Sequence, residues 1–296
     1  MSWPSRRLSF RYLGLAAIVS LVASCSPTTV PVGKYDLLAE SSQNILSGTT
    51  ETYTRIEKLQ RRFIVETVNN SPLTRDSFRP VIDGQSFDLV PELRFRETAL
   101  DVLVKYFLVL QAFAKRDFEG EVDKAAEELA GSLKSFVATA APDSETATEA
   151  SGILATVVNV IGREIVRGKR LEALKTVMDS AQPDIEKLTR LIVGSNGKIK
   201  QAVDTMLGRI IAHRNTMRPS RDTVERVSFD TDVSLVIGEV DEIKAALDNL
   251  STAIQEVPSA HAEVRKMLDE KPTGLNALQQ LVEEVQRIDK FYRSIK

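Results

Sequence analysis

The chain has 296 residues, 43% of them hydrophobic, 27% charged and 6% aromatic, with a formal net charge of −2. That balance is ordinary for a folded protein, and it carries no basic footprint of a nucleic-acid binder. With only 14 glycines, 11 prolines and few aromatic residues, long helices are expected rather than a β-sandwich.

Arg6, Arg7 and Arg11 precede a short apolar run, Leu13 to Val22, which is followed by the small residues Ala23 and Ser24. This is the layout of a secretory signal peptide. The run is far below the roughly 20 residues that span a bilayer. It ends on Cys25, the only cysteine in the chain, which therefore has no disulfide partner of its own. Val22-Ala23-Ser24-Cys25 resembles the lipobox of bacterial lipoproteins, with Val22 where that family more often has Leu. The resemblance covers residues 1–25 alone. It implies that residues 1–24 are removed as the signal peptide, that the Cys25 thiol carries a diacylglyceryl group, and that the new amino group is acylated. Two or three acyl chains hold a protein firmly on a membrane where one does not. Ser26 stands where an aspartate retains Gram-negative lipoproteins in the inner membrane, so the resemblance implies the outer membrane, facing the periplasm. Removal of residues 1–24 takes away three arginines and no acid, which moves the formal net charge from −2 to −5.

Residues 25–34 read as a lipidated tether, with "SPTTVPVG" small, polar and proline-containing. Residues 35–296 read as a single elongated helical-bundle domain. Leu38, Ser42, Ile45, Thr49, Thr52, Ile56, Leu59 and Phe63 alternate steps of four and three, a helical stripe that is thin at the two threonines. Residues 69–91 break the pattern, and Asp83-Gly84 between apolar arms signals a hairpin. A lone hairpin is marginal in water, so an irregular loop on the bundle is the equal alternative. Helical spacing returns with Leu93, Leu100, Leu103, Phe107, Leu110 and Ala114; Gly120 is a place to kink or end that helix, and Phe118, Val122, Ala125, Leu129 and Phe136 continue a helical face. After the polar connection at 141–152 comes "GILATVVNVIGREIVRG", Gly152 to Gly168, the most apolar mature segment. It is too short to span a bilayer and is expected to be a buried central helix.

The strongest pattern follows. Leu171, Leu174, Met178, Ala181, Ile185, Leu188, Ile192, Ser195, Ile199, Ala202 and Met206 hold a three-four alternation that Ile210, His213 and Met217 extend. After the turn "RPSRD", Phe229, Val233, Val236, Val240, Ile243, Leu247, Leu250, Ile254, Val257, His261, Val264 and Leu268 hold another. Such a period marks the seam of two long antiparallel helices, each about 60–70 Å long at 1.5 Å per residue. A turn near residue 220 sets position i opposite about 440 − i, so His213 is expected near Val227 and His261 near Asp179. Pro183 either kinks the first arm or opens a new helix. "GSNG" at 194–197 is a turn signal inside it, expected to weaken the helix without ending it. Pro258 is expected to kink the second arm near Ile254 and Val257. Thr273 is placed to cap a last helix carrying Leu278, Leu281, Val285, Ile288, Tyr292 and Ile295.

Chemistry is sparse. "GSNGK" lacks the spacing and the final Ser/Thr of a phosphate loop, and no nucleophile elbow, zinc-protease, paired-cysteine or calcium-loop motif occurs. The two histidines sit tens of ångströms apart on a seam, where one buried polar group more often fixes register than binds a ligand. Glu127-Glu128, Glu283-Glu284 and Glu239 with Asp241-Glu242 read as solvating charges. No catalytic, cofactor-binding or metal-binding residue is assigned; Cys25, as the lipidation position, is the one site residue.

The expectation is an all-α fold: an elongated bundle of long antiparallel helices with coiled-coil-like seams and a small irregular or hairpin insertion near 69–91. The function expected is that of a non-enzymatic, membrane-anchored periplasmic lipoprotein with no cofactor. Its partners are the membrane through lipid on Cys25, a protein of the envelope and, through the long helices, a second copy. Two alternatives stand beside it. One is a membrane-active helical protein like the α-helical pore-forming toxins, acting through 152–168. The other is a ligand-sensing bundle with its cavity near Thr49, Thr52, Ser195 and Ala202.

Overall fold

The computed structural model describes residues 30–67, 81–82, 85–115, 119–139, 170–220, 222–269 and 275–295. Cys25, Phe118, the connection at 141–152, the apolar segment 152–168 and Thr273 lie outside the described residues.

The described chain is all-helical apart from one short ladder. Its elements are α1 (Val32–Thr67), β1 (Val81–Ile82), β2 (Gln85–Ser86), α2 (Val90–Ala114), α3 (Glu119–Thr139), α4 (Arg170–Gly194), α5 (Asn196–Met217), a single 3₁₀ turn (Arg218–Ser220), α6 (Thr223–Lys266) and α7 (Asn276–Ser294). The expected hairpin ladder forms: Val81 pairs with Ser86 and Ile82 with Gln85, antiparallel. The long helices pack against one another in antiparallel pairs.

Every residue of the α1 stripe from Leu38 to Phe63 is buried, Thr49 and Thr52 included. The thin middle of that stripe is filled from the far end of the chain. Tyr292 on α7 donates its hydroxyl to the Gly48 carbonyl at 2.7 Å and meets Thr52 Oγ1 in a second hydrogen bond. A Cβ on Gly48 would sit 3.0 Å from Ile288 Cγ2 and 3.1 Å from Tyr292 Cε2, so only glycine admits α7 this closely. The space expected beside Thr52 is therefore occupied by α7, and Thr49 is buried. Helix α2, buried on nearly all faces from Leu93 to Ala114, is the central helix of the described core.

The core tapers. A large cluster joins the first half of α1 to α2, α3, α4, α7 and the second half of α6. A smaller one joins the second half of α1, with Leu93, to α5 and the first half of α6. Where α1 ends, Arg214 of α5 clamps Glu66 with two hydrogen bonds of 2.6 and 2.7 Å. Arg214 and Arg62 also both pair with Asp232. Beyond this neutral quartet only α5 and α6 continue among the described residues. Asp222 caps α6 by accepting from the Glu225 N–H at 2.8 Å. α7 is capped differently from expectation. Its N-cap is Leu275, without a side-chain cap, and its third amide, Leu278 N–H, is taken by Glu263 Oε2 at 2.9 Å from the neighbouring helix.

The two prolines are accommodated inside unbroken helices, Pro183 in α4 and Pro258 in α6. Across the seam, Gln182 Nε2 donates to the Pro258 carbonyl at 3.3 Å. The first arm is interrupted at one residue, Ser195, whose dihedrals stay helical. Ser195 Oγ donates to the Leu191 carbonyl at 2.9 Å, and its own carbonyl accepts from Lys198 and Ile199.

Antiparallel pairing holds, but its register moves. Near the thick end Gln182 meets His261 and Lys175 meets Asp269. Past Ser195, Asn196 meets Ser251 and Lys200 meets Asp248. From Gln182 to Asn196 the first arm advances 14 residues, while from His261 back to Ser251 the second advances 10. The surplus is about one helical turn, taken up around Pro183 and Ser195. By the tip, Arg214 pairs with Asp232. His213 is therefore half-buried well away from Val227, and Met217, expected on the seam, is exposed.

Candidate functional site

His261 is completely buried, and its partners fix its tautomer. Gln182 gives both amide hydrogens away, to Glu186 and the Pro258 carbonyl, so its Oε1 accepts from His261 Nδ1–H at 2.6 Å. Nε2 is left as an acceptor for the Tyr106 hydroxyl at 2.8 Å. Burial holds the Tyr106 phenol well above its ordinary pKa and pushes His261 down to about 3, with Arg265 adding to the second effect. A neutral imidazole with both nitrogens satisfied and no open face is a packing and register element. Its distance in sequence from half-buried His213 leaves the two histidines unconnected.

Glu127, Glu128 and Glu283 are exposed, whereas Glu284 is half-buried. Glu128 binds Lys105 at 2.8 Å, Glu284 binds Arg287 at 2.8 Å and Glu242 binds Arg55. No three His, Cys, Asp or Glu side chains among the described residues come together as a metal site.

Two features remain. The first is a cleft of about 630 Å³ at the Ser195 interruption, between the first turns of α2, the end of α3 and the α4–α5 junction. Its apolar wall includes Leu89, Pro91, Phe95 and Leu191, and its cations are Arg96, Arg190 and Lys198. Arg96 is 1% exposed. It donates to Glu92 Oε1 through Nε and Nη2, and to Asn196 Oδ1 through Nη1 at 3.2 Å. Asn196 in turn donates to Ser251 at 2.7 Å. Burial pushes neighbouring Tyr53 up to about 12 against the pull of Arg96. Gly194, Ser195 and Lys198 of "GSNGK" do line this cleft, whereas Ala202 is packed in the core.

The second is a face of α6 at the tip. Val224, Val227 and Leu235 are 79%, 64% and 66% exposed. With Ser228, Thr231, Ser234 and Gly238, also exposed, they share one side of the helix, opposite the buried Val236 and Val240. That side carries no charge over 15 residues. The sequence held the signal: a second three-four spacing in α6, offset from the seam. Nothing in it marked Arg96, because an arginine two turns into a helix ordinarily reads as surface.

Comparison with known proteins gives no match to a family model, to a curated protein or to a solved structure. No helix among the described residues is long and apolar enough to cross a membrane.

Proposed function

We propose that the protein is a non-enzymatic, lipid-anchored component of the bacterial envelope that holds a protein partner at a distance from its membrane. Acyl groups on Cys25 fix the chain to the outer membrane, and the tapered bundle projects into the periplasm. The observation that supports this most is the placement of two ends. The chain enters α1 at the thick end, where Val30 and Val32 pack against the large cluster. The uncharged face of α6 lies at the other. α1 is 36 residues long, about 54 Å, and the tip adds roughly another 10–15 Å. A solvent-facing uncharged stripe that exposes Val224, Val227 and Leu235, in a chain with 27% charged residues, has the composition of an interface. Glu225, Glu239 and Asp241 flank the stripe, which suits a helix with lysine or arginine beside its own apolar residues.

The test is in-cell photo-crosslinking from Leu235 and, as a control, from exposed Lys187 on α4, in the intact lipoprotein and in Cys25→Ala. The proposal expects one protein adduct from Leu235, mapped to a basic-flanked amphipathic helix, absent from Lys187 and lost with the anchor. Adducts only to lipid or only to a second copy of this chain would overturn it.

A further inference from the structure

The cleft at Ser195 goes beyond a docking role, because what it offers is a ligand site. In a chain with a net formal charge of −2, its described lining residues gather three cations against one carboxylate, Glu92, which Arg96 already engages. Arg190 and Lys198 stand one on each side of the helix interruption, both solvent-facing, and the side chain of neither makes a hydrogen bond or ion pair with a described residue. They leave a local excess of two positive charges beside an apolar wall. The cleft volume, about 630 Å³, falls within the range of small-molecule sites, about 300–1,000 Å³.

The geometry points to this cleft as a binding site for an amphipathic anion: a carboxylate or phosphate head held by Arg190 and Lys198, with a short acyl chain along Leu89, Pro91 and Leu191. Arg96 does not touch the ligand. It is a positioning residue that joins α2 to the first turn of α5 through Asn196 and holds the two walls together. The α4–α5 junction faces the cleft through Gly194 and Ser195, where the first arm is interrupted. A Cβ on Gly194 or on Gly197 would meet nothing within 4 Å, so neither glycine is demanded by packing, and both leave the backbone accessible. A nucleotide is not the ligand class indicated, since the loop lacks the phosphate-cradle spacing. A free fatty acid and a phosphate-headed lipid share the required chemistry and differ in the head.

The test uses the full-length chain carrying Cys25→Ala, so that no acyl group of its own competes. Dodecanoate, dodecyl phosphate, dodecyltrimethylammonium and inorganic phosphate are titrated below their micelle concentrations, by calorimetry and by thermal melting. The expected result is saturable one-to-one binding of dodecanoate, of dodecyl phosphate or of both, the tighter of the two identifying the head. No binding of the cationic amphiphile is expected. Arg190→Gln with Lys198→Gln is expected to weaken binding at least tenfold and to leave the melting temperature of the free protein unchanged. A photoreactive dodecanoate is expected to label α2, α4 or α5. Non-saturating uptake, equal binding of the cationic amphiphile, equal affinity in the double variant, labelling confined to other helices, or inorganic phosphate binding as tightly as dodecyl phosphate would each overturn the assignment.

Discussion

His261 gives the sharpest test of the packing described above. Its folded-state pKa is near 3, whereas an unfolded histidine titrates near 6.5. The unfolded chain therefore binds a proton that the folded chain refuses, throughout the window from about pH 6.5 to about pH 3. The neutral, doubly hydrogen-bonded imidazole contributes fully above that window, and its contribution is lost as pH falls through it. Between pH 7.5 and pH 5.0 the loss is about 2 kcal/mol, from 1.36 kcal/mol per decade over the 1.5 units below the unfolded pKa. The assay is urea unfolding followed by circular dichroism at both pH values, for the native chain and for His261→Gln. The carboxylates titrate in both proteins, so the difference of the two pH effects isolates His261. The native chain is expected to lose about 2 kcal/mol more than the variant. Equal pH dependence in the two would refute a buried, neutral His261.

Gly48→Val drives a side chain into Ile288 and into Tyr292, which its hydroxyl hydrogen bonds hold in place; a loss of about 1–3 kcal/mol is expected, read by urea denaturation, with amide exchange fastest in α7. Gly194→Ala and Gly197→Ala meet open space and remove the helix penalty of glycine, so each is expected to raise stability by about 0.5–1 kcal/mol; a fall in melting temperature would show that the junction needs glycine. Arg214→Ala leaves Glu66 with half its partners; the desolvation of that carboxylate is outweighed by Arg214 and Arg62, which together hold it below the usual carboxylate range. A loss of about 2–3 kcal/mol is expected, with amide exchange rising in α5 and α6 beyond the quartet. Val227→Ser, on the uncharged face beside Leu235, is expected to change stability by less than about 0.5 kcal/mol while abolishing the crosslink from Leu235.

Most of the architecture could be read in the sequence because each seam is a local repeat. From Leu171 to Ile210 and from Val236 to Leu268 the spacing alone separates buried from exposed positions, and nearly every seam residue is buried or half-buried. The pairing of two repeats is not local. A constant sum of 440 presumes equal advance along both arms, and the surplus turn around Pro183 and Ser195 defeats it. The seam also fades at the tip for a reason periodicity cannot see. Among the described residues α1 ends at Thr67, and beyond it Phe229 and Val233 are half-exposed, while Arg214 replaces His213 as the inward group because Glu66 and Asp232 are there to receive it. The threonines of α1 looked like missing bulk. Thr52, with the Gly48 carbonyl, is the landing place for a tyrosine 240 residues further on. The cleft was unreadable for the same reason: Arg190 and Lys198 are ordinary surface residues until α2 brings Arg96 beneath them.

The closure of α1 by α7 has a consequence for how the molecule comes into being. Thr52 leaves the ribosome 240 residues ahead of the Tyr292 that covers it. At about 5–20 residues per second, the interval between them is roughly 10–50 s. Throughout it α1 exists without the helix that covers Ile45, Gly48 and Thr52, and for most of it without α5 and α6 against Ile56 and Phe63. A polypeptide cut short before α7 therefore lacks the helix that covers Gly48 and Thr52 and keeps an unsealed groove along its first helix.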